Sequence, residues 1–165
     1  MQLIDVLSVS YQPLRLTCAL RSSYTDRKYV GIIMEPVADM DLKDYLSRTP
    51  FPEYEMPTLR TFFGCICSAV AYLHKNNCRH KDIKPANILV KEDQVYITDF
   101  GLALDFTELP SETTAGSPMM YTHAYAAPEV AMGAKRNTKS DIWSLGCVFL
   151  DMLVGHKFGA GVNKR

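Results

Sequence analysis

The longest periodic stretch of hydrophobic positions lies in the middle of the chain. Five apolar residues recur there at steps of three and four: Leu59, Phe62, Ile66, Val70 and Leu73. This spacing places them on one face of an α-helix. It predicts an amphipathic helix over about residues 58–76, whose apolar stripe belongs to the core. The nearly apolar run at 62–73 is too short to span a bilayer.

The N-terminal part of the chain has a pattern typical of strands. Residues 3–9 (LIDVLSV) and 29–37 (YVGIIMEPV) are rich in β-branched and apolar side chains. Residues 14–20 predict a further short strand, and residues 21–28 (RSSYTDRK) predict a polar connection. A short helix is expected to begin after Asp39 or Asp41, because an aspartate suits a helix N-terminus.

The C-terminal half alternates between regular and irregular patterns. Residues 88–90 and 95–97 flank the turn sequence KEDQ and predict a hairpin. Between 99 and 129 no periodicity lasts. Ser140 is then predicted to cap a second long helix, which ends near Gly155. We expect one face of this helix to carry Ile142, Leu145, Phe149 and Met152, and we expect residues 156–165 to form a frayed tail.

Composition indicates one globular domain. The 165 residues are 47% hydrophobic and 22% charged, and 18 Lys and Arg balance 18 Asp and Glu, so we expect no nucleic-acid or membrane partner. The N-terminus does not resemble a signal peptide. Five cysteines without a Cys-x-x-Cys pair predict buried free thiols in a reducing compartment. We therefore expect a soluble, intracellular protein, cytoplasmic or nuclear.

The candidate chemistry lies around the predicted hairpin. Asp82, Lys84 and Asn87 precede it in RHKDIKPANILV, and Asp99 follows it. Because a hairpin brings its two ends together, we expect these four side chains to share one site. Asp and Asn oxygens suit Mg²⁺, a further carboxylate can accept a hydroxyl proton, and a lysine can neutralise a phosphoryl group. Taken alone, each would be an ordinary loop or turn residue.

Four motifs, in this order and spacing, resemble the protein kinase family: HKDIKPAN (80–87), DFG (99–101), APE (127–129) and SDIWSLG (140–146). The resemblance covers about residues 3–155. It implies an α+β, protein-kinase-like fold, with a remnant of the small-lobe β-sheet and the hinge at 1–37 and part of the helical large lobe at 38–155. Two features resemble the serine/threonine kinases in particular: the lysine two positions after Asp82, and Thr122. The implied activity is ATP- and Mg²⁺-dependent phosphoryl transfer to Ser/Thr hydroxyls of a protein substrate.

The resemblance also implies residue roles. Asp82 would orient the substrate hydroxyl and accept its proton, Lys84 would contact the γ-phosphate, and Thr122 would bond both. Asn87 and Asp99 would hold Mg²⁺. Asp141 would bond the backbone around His80, which with Phe100 would join an apolar stack, whereas His74 and His156 are expected to be ordinary surface or packing residues. Nucleotide contacts would come from Met34 as gatekeeper, the backbone of Glu35 and Val37 at adenine, Asp41 at the ribose, and Leu42 and Leu89 against the purine.

The sequence departs from the family pattern in several places. It contains no Gly-x-Gly-x-x-Gly loop, and the lysine and glutamate that position ATP in the family are not recognisable. The usual arginine partner of Glu129 is not recognisable either, and Lys81 stands where regulated kinases carry the arginine that grips a loop phosphate. Loop phosphorylation at Ser111, Thr113, Thr114 or Ser117 therefore stays open.

These departures predict a kinase domain truncated at both ends, with weak or no activity in isolation. Two alternatives remain. The chain is a kinase-derived binding or regulatory module without turnover, or it is an incomplete reading of a longer gene whose product is an ordinary kinase.

Overall fold

Two long helices and three small antiparallel sheets make up the part of the chain that the computed structural model describes, residues 17–48, 52–107 and 121–158. The strands are β1 Ala19–Thr25, β2 Val30–Glu35, β3 Met40–Asp41, β4 Cys78–Arg79, β5 Ile88–Lys91, β6 Gln94–Ile97 and β7 Leu104–Asp105. The helices are α1 Leu42–Ser47, α2 Met56–Lys75, α3 Pro128–Ala131 and α4 Thr138–Phe158. Short 3₁₀ turns lie at Glu53–Glu55, Pro85–Asn87, Phe100–Leu102 and His123–Tyr125.

Helix α2 confirms the predicted amphipathic helix. It begins two residues earlier and ends one residue earlier than expected. By length and composition alone, Glu53–Lys75 would suffice to cross a membrane. Its apolar stripe, however, packs against β6 and α4, as the buried face of an amphipathic core helix does. The buried residues of α2 are Leu59, Phe62, Ile66, Ala69, Val70 and Leu73.

Helix α4 begins at Thr138, two residues before the predicted cap. Asn137 caps it instead, since its Oδ1 accepts a hydrogen bond from the Lys139 N–H at 2.9 Å. The expectation that Ile142 shares a face with Leu145 and Met152 is wrong, because Ile142 is 52% exposed whereas the other two side chains are buried. The helix also continues through Phe158, into the predicted tail, and residues 159–165 lie outside the described part. The buried residues described in this helix are Ser140, Asp141, Leu145, Val148 and Met152. The buried face therefore includes the charged Asp141, which the apolar pattern omits.

The first two strands correct the N-terminal prediction. The predicted strand at 3–9 lies outside the described residues. Strand β1 begins at Ala19 and continues to Thr25, through five of the eight residues of the predicted polar connection, and pairs antiparallel with β2. Most of this two-stranded sheet is exposed on both faces. Its outward side chains are therefore free to be polar or apolar, and alternation gives no signal there.

The second sheet places the candidate site. Strands β5 and β6 form the predicted hairpin, and β3 pairs with β5 through the partners Asp41 and Leu89. Helix α1 begins directly after β3, where the Asp41 carboxylate accepts the Asp44 N–H at 2.8 Å. The third sheet pairs β4 with β7. The core lies between α1, α2, α4 and the hairpin.

All five cysteines are free thiols. The prediction of buried thiols is confirmed only for Cys78. Cys67 is exposed, and the remaining three are half-buried.

Candidate active site

The two ends of the β5–β6 hairpin meet, as the sequence predicts. The backbone N–H of Thr98 donates to the carbonyl oxygen of Asn87 at 3.0 Å. Asp99 follows directly, so the loop of residues 80–87 and the segment of residues 99–101 lie at one rim.

Asp82, Lys84 and Thr122 form a closed triangle of hydrogen bonds. Lys84 Nζ donates to Asp82 Oδ2 at 2.6 Å and to Thr122 Oγ1 at 3.1 Å. The Thr122 hydroxyl donates to Asp82 Oδ1 at 2.8 Å. Asn87 Nδ2 completes the arrangement by donating to the backbone oxygen of Asp82 at 2.9 Å and to its Oδ2 at 3.0 Å. All three corners of the triangle are half-buried.

These contacts keep the Asp82 carboxylate ionised. Burial alone raises the pKa of Asp82, but hydrogen bonds from Lys84, Thr122 and Asn87 outweigh burial, and the pKa lies below its ordinary value. An ionised carboxylate with fixed orientation is an acceptor for a substrate hydroxyl.

Asn87 and Asp99 supply the oxygen atoms that fit a magnesium ion. Because Asn87 Nδ2 is bonded to Asp82, the amide Oδ1 is directed away from it. Asp99 is exposed and adopts a left-handed backbone with φ of 62°, and its Oδ1 accepts the Gly101 N–H at 3.3 Å. One carboxylate and one amide oxygen suit Mg²⁺, which takes few protein ligands and completes its shell with phosphate and water. Within residues 17–48, 52–107 and 121–158, no group of three or more His, Cys, Asp or Glu side chains could hold a metal.

His80 lies fully buried beneath this rim. Its Nε2 is 2.9 Å from the backbone oxygen of Thr98, and its Nδ1 accepts the Asp82 N–H at 3.3 Å. This pair of contacts requires the neutral imidazole with the proton on Nε2, in keeping with burial, which lowers the pKa of His80. The His80 and Phe100 rings lie 5.0 Å apart between centroids, as the expected stack requires.

Asp141 holds the start of the 80–87 loop. Its Oδ2 accepts the His80 N–H and its Oδ1 accepts the Lys81 N–H, both at 2.9 Å, as expected. These bonds fix Lys81 at φ of 71°, a conformation that costs a non-glycine residue about 1–3 kcal/mol. His74 Nε2 lies 2.9 Å from Asp141 Oδ2. His74 is therefore a packing residue, one of the two expected roles, and its partner is a buried carboxylate.

The hinge residues predicted to contact the nucleotide are more exposed than the Asp82–Lys84–Thr122 triangle. Met34 and Glu35 end β2 and are exposed, and Val37 is 79% exposed. The Glu35 carboxylate pairs with Arg21 Nε at 2.6 Å. Leu89 is half-buried and lies opposite Asp41 in the β3–β5 register. The prediction that Leu42 contacts the purine is wrong, because its side chain is 0% exposed in the core and offers no surface to a purine.

Glu129 has a partner within the described residues. Its Oε1 accepts the Ser140 hydroxyl at 3.0 Å, so the start of α4 contacts the carboxylate that in the family pairs with an arginine.

Comparison with known proteins shows the family of this chain. Residues 12–164 match the family model for the protein kinase domain, and the chain belongs to that family. Cyclin-dependent kinase 4 of Xenopus laevis is 40% identical over 133 residues, which cover 79% of this chain and 40% of the relative. Cyclin-dependent kinase 4 of Mus musculus is 36% identical over 140 residues, covering 84% of this chain and 45% of the relative. The bovine protein of the same name (Bos taurus) gives the same identity and coverage. The chain thus spans less than half the length of the curated relatives that it matches.

Proposed function

We propose that this chain carries the phosphoryl-transfer centre of an ATP- and Mg²⁺-dependent protein serine/threonine kinase. The observation that supports this best is the triangle of Asp82, Lys84 and Thr122. It holds an acceptor carboxylate and an ammonium group at one place. A hydroxyl nucleophile needs the carboxylate, and a phosphoryl group in transfer needs the positive charge.

Each side chain then has a distinct task. Asp82 accepts the hydrogen of a substrate Ser or Thr hydroxyl and orients its oxygen. Lys84 neutralises charge on the transferred phosphoryl group, while Thr122 keeps the other two side chains in place. Asn87 and Asp99 hold Mg²⁺, which when bound neutralises the charge of the nucleotide phosphates. Met34, Glu35, Val37, Asp41 and Leu89 form the nucleotide side of the site.

Transfer of labelled γ-phosphate from Mg-ATP to a set of Ser- and Thr-containing peptides tests this function. We expect Asp82→Asn to reduce the rate by about 10²–10⁴-fold. Asp93→Asn is the matched control, since it makes the same change at an exposed turn residue of the hairpin, and it is expected to keep the rate. Equal rates for wild type and Asp82→Asn would refute the proposal.

A second candidate is a binding or regulatory module that transfers no phosphate. The exposure of Met34 and Val37 favours it, because an open adenine side positions ATP poorly. Thermal melting with and without Mg-ATP separates the two. The enzyme requires a Mg²⁺-dependent rise in melting temperature that Asp99→Asn removes and Asp93→Asn keeps. If the chain gains no stability from Mg-ATP and transfers no phosphate, the binding or regulatory module is the correct function.

The partner and location proposals are coarser. We propose a protein substrate, no nucleic-acid or membrane partner, and an intracellular site, cytoplasmic or nuclear, in keeping with free thiols at all five cysteines. Because the relatives are named cyclin-dependent kinases, dependence of the whole protein on a cyclin is also a proposal. Co-purification with a cyclin would support it, and full activity without one would exclude it.

A further inference from the structure

Helix α4 contacts both chain segments that form the hydrogen-bonded triangle. Asp141, near the start of the helix, holds the loop that carries Asp82 by accepting two of its backbone N–H groups. Two further side chains of the same helix, Ser144 and Asp151, contact the segment that carries Thr122. These last two contacts have no part in the phosphoryl transfer described above.

Both of these contacts are made to Tyr125. Its phenol donates a hydrogen bond to Asp151 Oδ2 at 2.7 Å, and its backbone oxygen accepts the Ser144 hydroxyl at 2.8 Å. Ser144 and Asp151 are seven positions apart, so they lie on the same side of α4 and about two turns from each other. The backbone and the phenol of this tyrosine are therefore both fixed to one long helix.

A 3₁₀ turn transmits this constraint from Tyr125 to Thr122. Thr122 directly precedes the turn at His123–Tyr125, and its backbone oxygen accepts the Tyr125 N–H at 3.0 Å. Because the turn is only three residues long, the backbone of Thr122 follows the position of Tyr125. The Thr122 hydroxyl then donates to Asp82 Oδ1 at 2.8 Å, a contact that fixes the side-chain rotamer of Thr122.

The surroundings of Tyr125 suit a lasting hydrogen bond. Tyr125 and Asp151 are both half-buried, and the tyrosine ring packs against the core. Burial raises the pKa of Tyr125 above its ordinary value of 10.0, and the hydrogen bond to Asp151 raises it further. The phenol therefore remains a donor at neutral pH. Hydrogen bonds to a carboxylate are among the stronger ones in proteins.

We propose that Tyr125 is a positioning residue, whose hydrogen bond to Asp151 holds Thr122 where its hydroxyl orients the Asp82 carboxylate. The inference rests on the proposed kinase function and adds Tyr125 and Asp151 to the same site. Both residues act through Thr122. Since Asp141 holds the loop of Asp82 on the same helix, α4 sets the position of the two halves of the triangle relative to each other.

Transfer of labelled γ-phosphate from Mg-ATP to a Ser- or Thr-containing peptide measures the effect on catalysis. We expect Tyr125→Phe, which removes only the hydroxyl, to lower kcat by about 10-fold at an unchanged KM for the peptide, because a misplaced group weakens only the transition state. Asp151→Leu should have the same effect. Asp151→Asn keeps an acceptor oxygen and should restore most of the rate. Tyr54→Phe removes the hydroxyl of an 81% exposed tyrosine and is the matched control. A wild-type kcat in Tyr125→Phe would overturn the proposal.

A rotamer measurement on the folded chain, without ATP or Mg²⁺, distinguishes positioning from a contribution to stability alone. Three-bond ¹³C couplings of the Thr122 γ-methyl group report its side-chain rotamer. We expect a single rotamer in wild type and in Asp151→Asn, and couplings averaged over several rotamers in Tyr125→Phe and Asp151→Leu. Circular dichroism first identifies the folded variants, and the second variant serves if the first does not fold. Couplings that stay the same in every folded variant contradict the assignment.

Failure of the inference and failure of the kinase function give different results. If wild type transfers phosphate and Tyr125→Phe has the same kcat and the same Thr122 couplings, the function stands and the inference fails. If the couplings change in Tyr125→Phe but wild type transfers no phosphate, Tyr125 still positions Thr122, and the catalytic part of the inference fails with the kinase function.

Discussion

His74 on α2 and Asp141 on α4 are 67 residues apart in the sequence and are joined by a 2.9 Å contact between Nε2 and Oδ2. The same carboxylate accepts the backbone N–H groups of His80 and Lys81. One buried carboxylate therefore connects both long helices to the loop that carries Asp82. Burial raises the pKa of Asp141, but the contacts from His74, Lys81 and His80 outweigh burial and lower it.

Removal of the imidazole should destabilise the fold. His74→Ala takes one partner from a buried carboxylate, and we expect the free energy of unfolding to fall by about 1–3 kcal/mol. Asp141→Ala should cost more, about 3–5 kcal/mol, because it removes the charged partner and the acceptor of two backbone N–H groups. Urea denaturation measures both. Lys75→Ala, at the exposed neighbour of His74, is the control. An equal effect of His74→Ala and Lys75→Ala would show that the contact contributes nothing.

How far the sequence predicts the fold depends on how strongly a segment is buried on one side. Helix α2 follows from apolar periodicity because one of its faces lies in the core, and the β5–β6 hairpin follows from two apolar runs that flank a turn sequence. Strand β1 does not, since neither face of its sheet is consistently covered. The prediction for α4 fails at Ile142 for a different reason. Its buried face includes the charged Asp141, and a pattern based on apolar residues omits such a position.

The residues of the candidate site also differ in how well the sequence predicts them. Asp82, Lys84, Asn87 and Asp99 could be grouped from the sequence because the hairpin between them is local. The contact of His74 joins distant segments, and no local pattern indicates it. Leu42 could not be distinguished from a ligand-facing leucine by its neighbours, because its burial depends on how α1 packs into the core.

The hydrogen bonds to Asp82 predict how its acidity responds to mutation. Burial raises the pKa of Asp82, whereas the Lys84 and Thr122 bonds lower it. Thr122→Val should therefore raise the pKa of Asp82, and Lys84→Met should raise it more, because it removes both a hydrogen bond and a charge. The carboxyl carbon signal, followed by NMR against pH, measures the effect. Thr61→Val removes the hydroxyl of an exposed helix residue and should leave the titration unchanged. A pKa that stays constant in the Lys84→Met variant would contradict the triangle.

Variants of two leucines distinguish a role in core packing from a role in nucleotide contact. Leu42→Ala should cost about 2–5 kcal/mol of stability, as for a fully buried leucine, while the affinity of the folded variant for Mg-ATP stays the same. Leu89→Ala should cost less stability, because its side chain is only half-buried, and should weaken Mg-ATP binding. Urea denaturation and nucleotide titration measure the two effects. Weaker nucleotide binding by Leu42→Ala at unchanged stability would restore Leu42 to the site.

The buried imidazole of His80 predicts how stability depends on pH. Burial lowers the pKa of His80 from its ordinary value of 6.5, so the unfolded chain takes up this proton at a higher pH than the folded chain does. The stability contributed by neutral His80 is therefore fully present above pH 6.5 and is lost as the pH falls through the lowered value of the folded state.

Urea midpoints measured above pH 6.5 and in steps below it should decline, with His80 accounting for at most one proton of the dependence. His80→Gln cannot take up this proton and should flatten the decline, even if its midpoints are lower at every pH. His123→Gln removes an exposed imidazole and should keep the wild-type slope. The same slope in wild type and in His80→Gln would mean that His80 does not carry the effect.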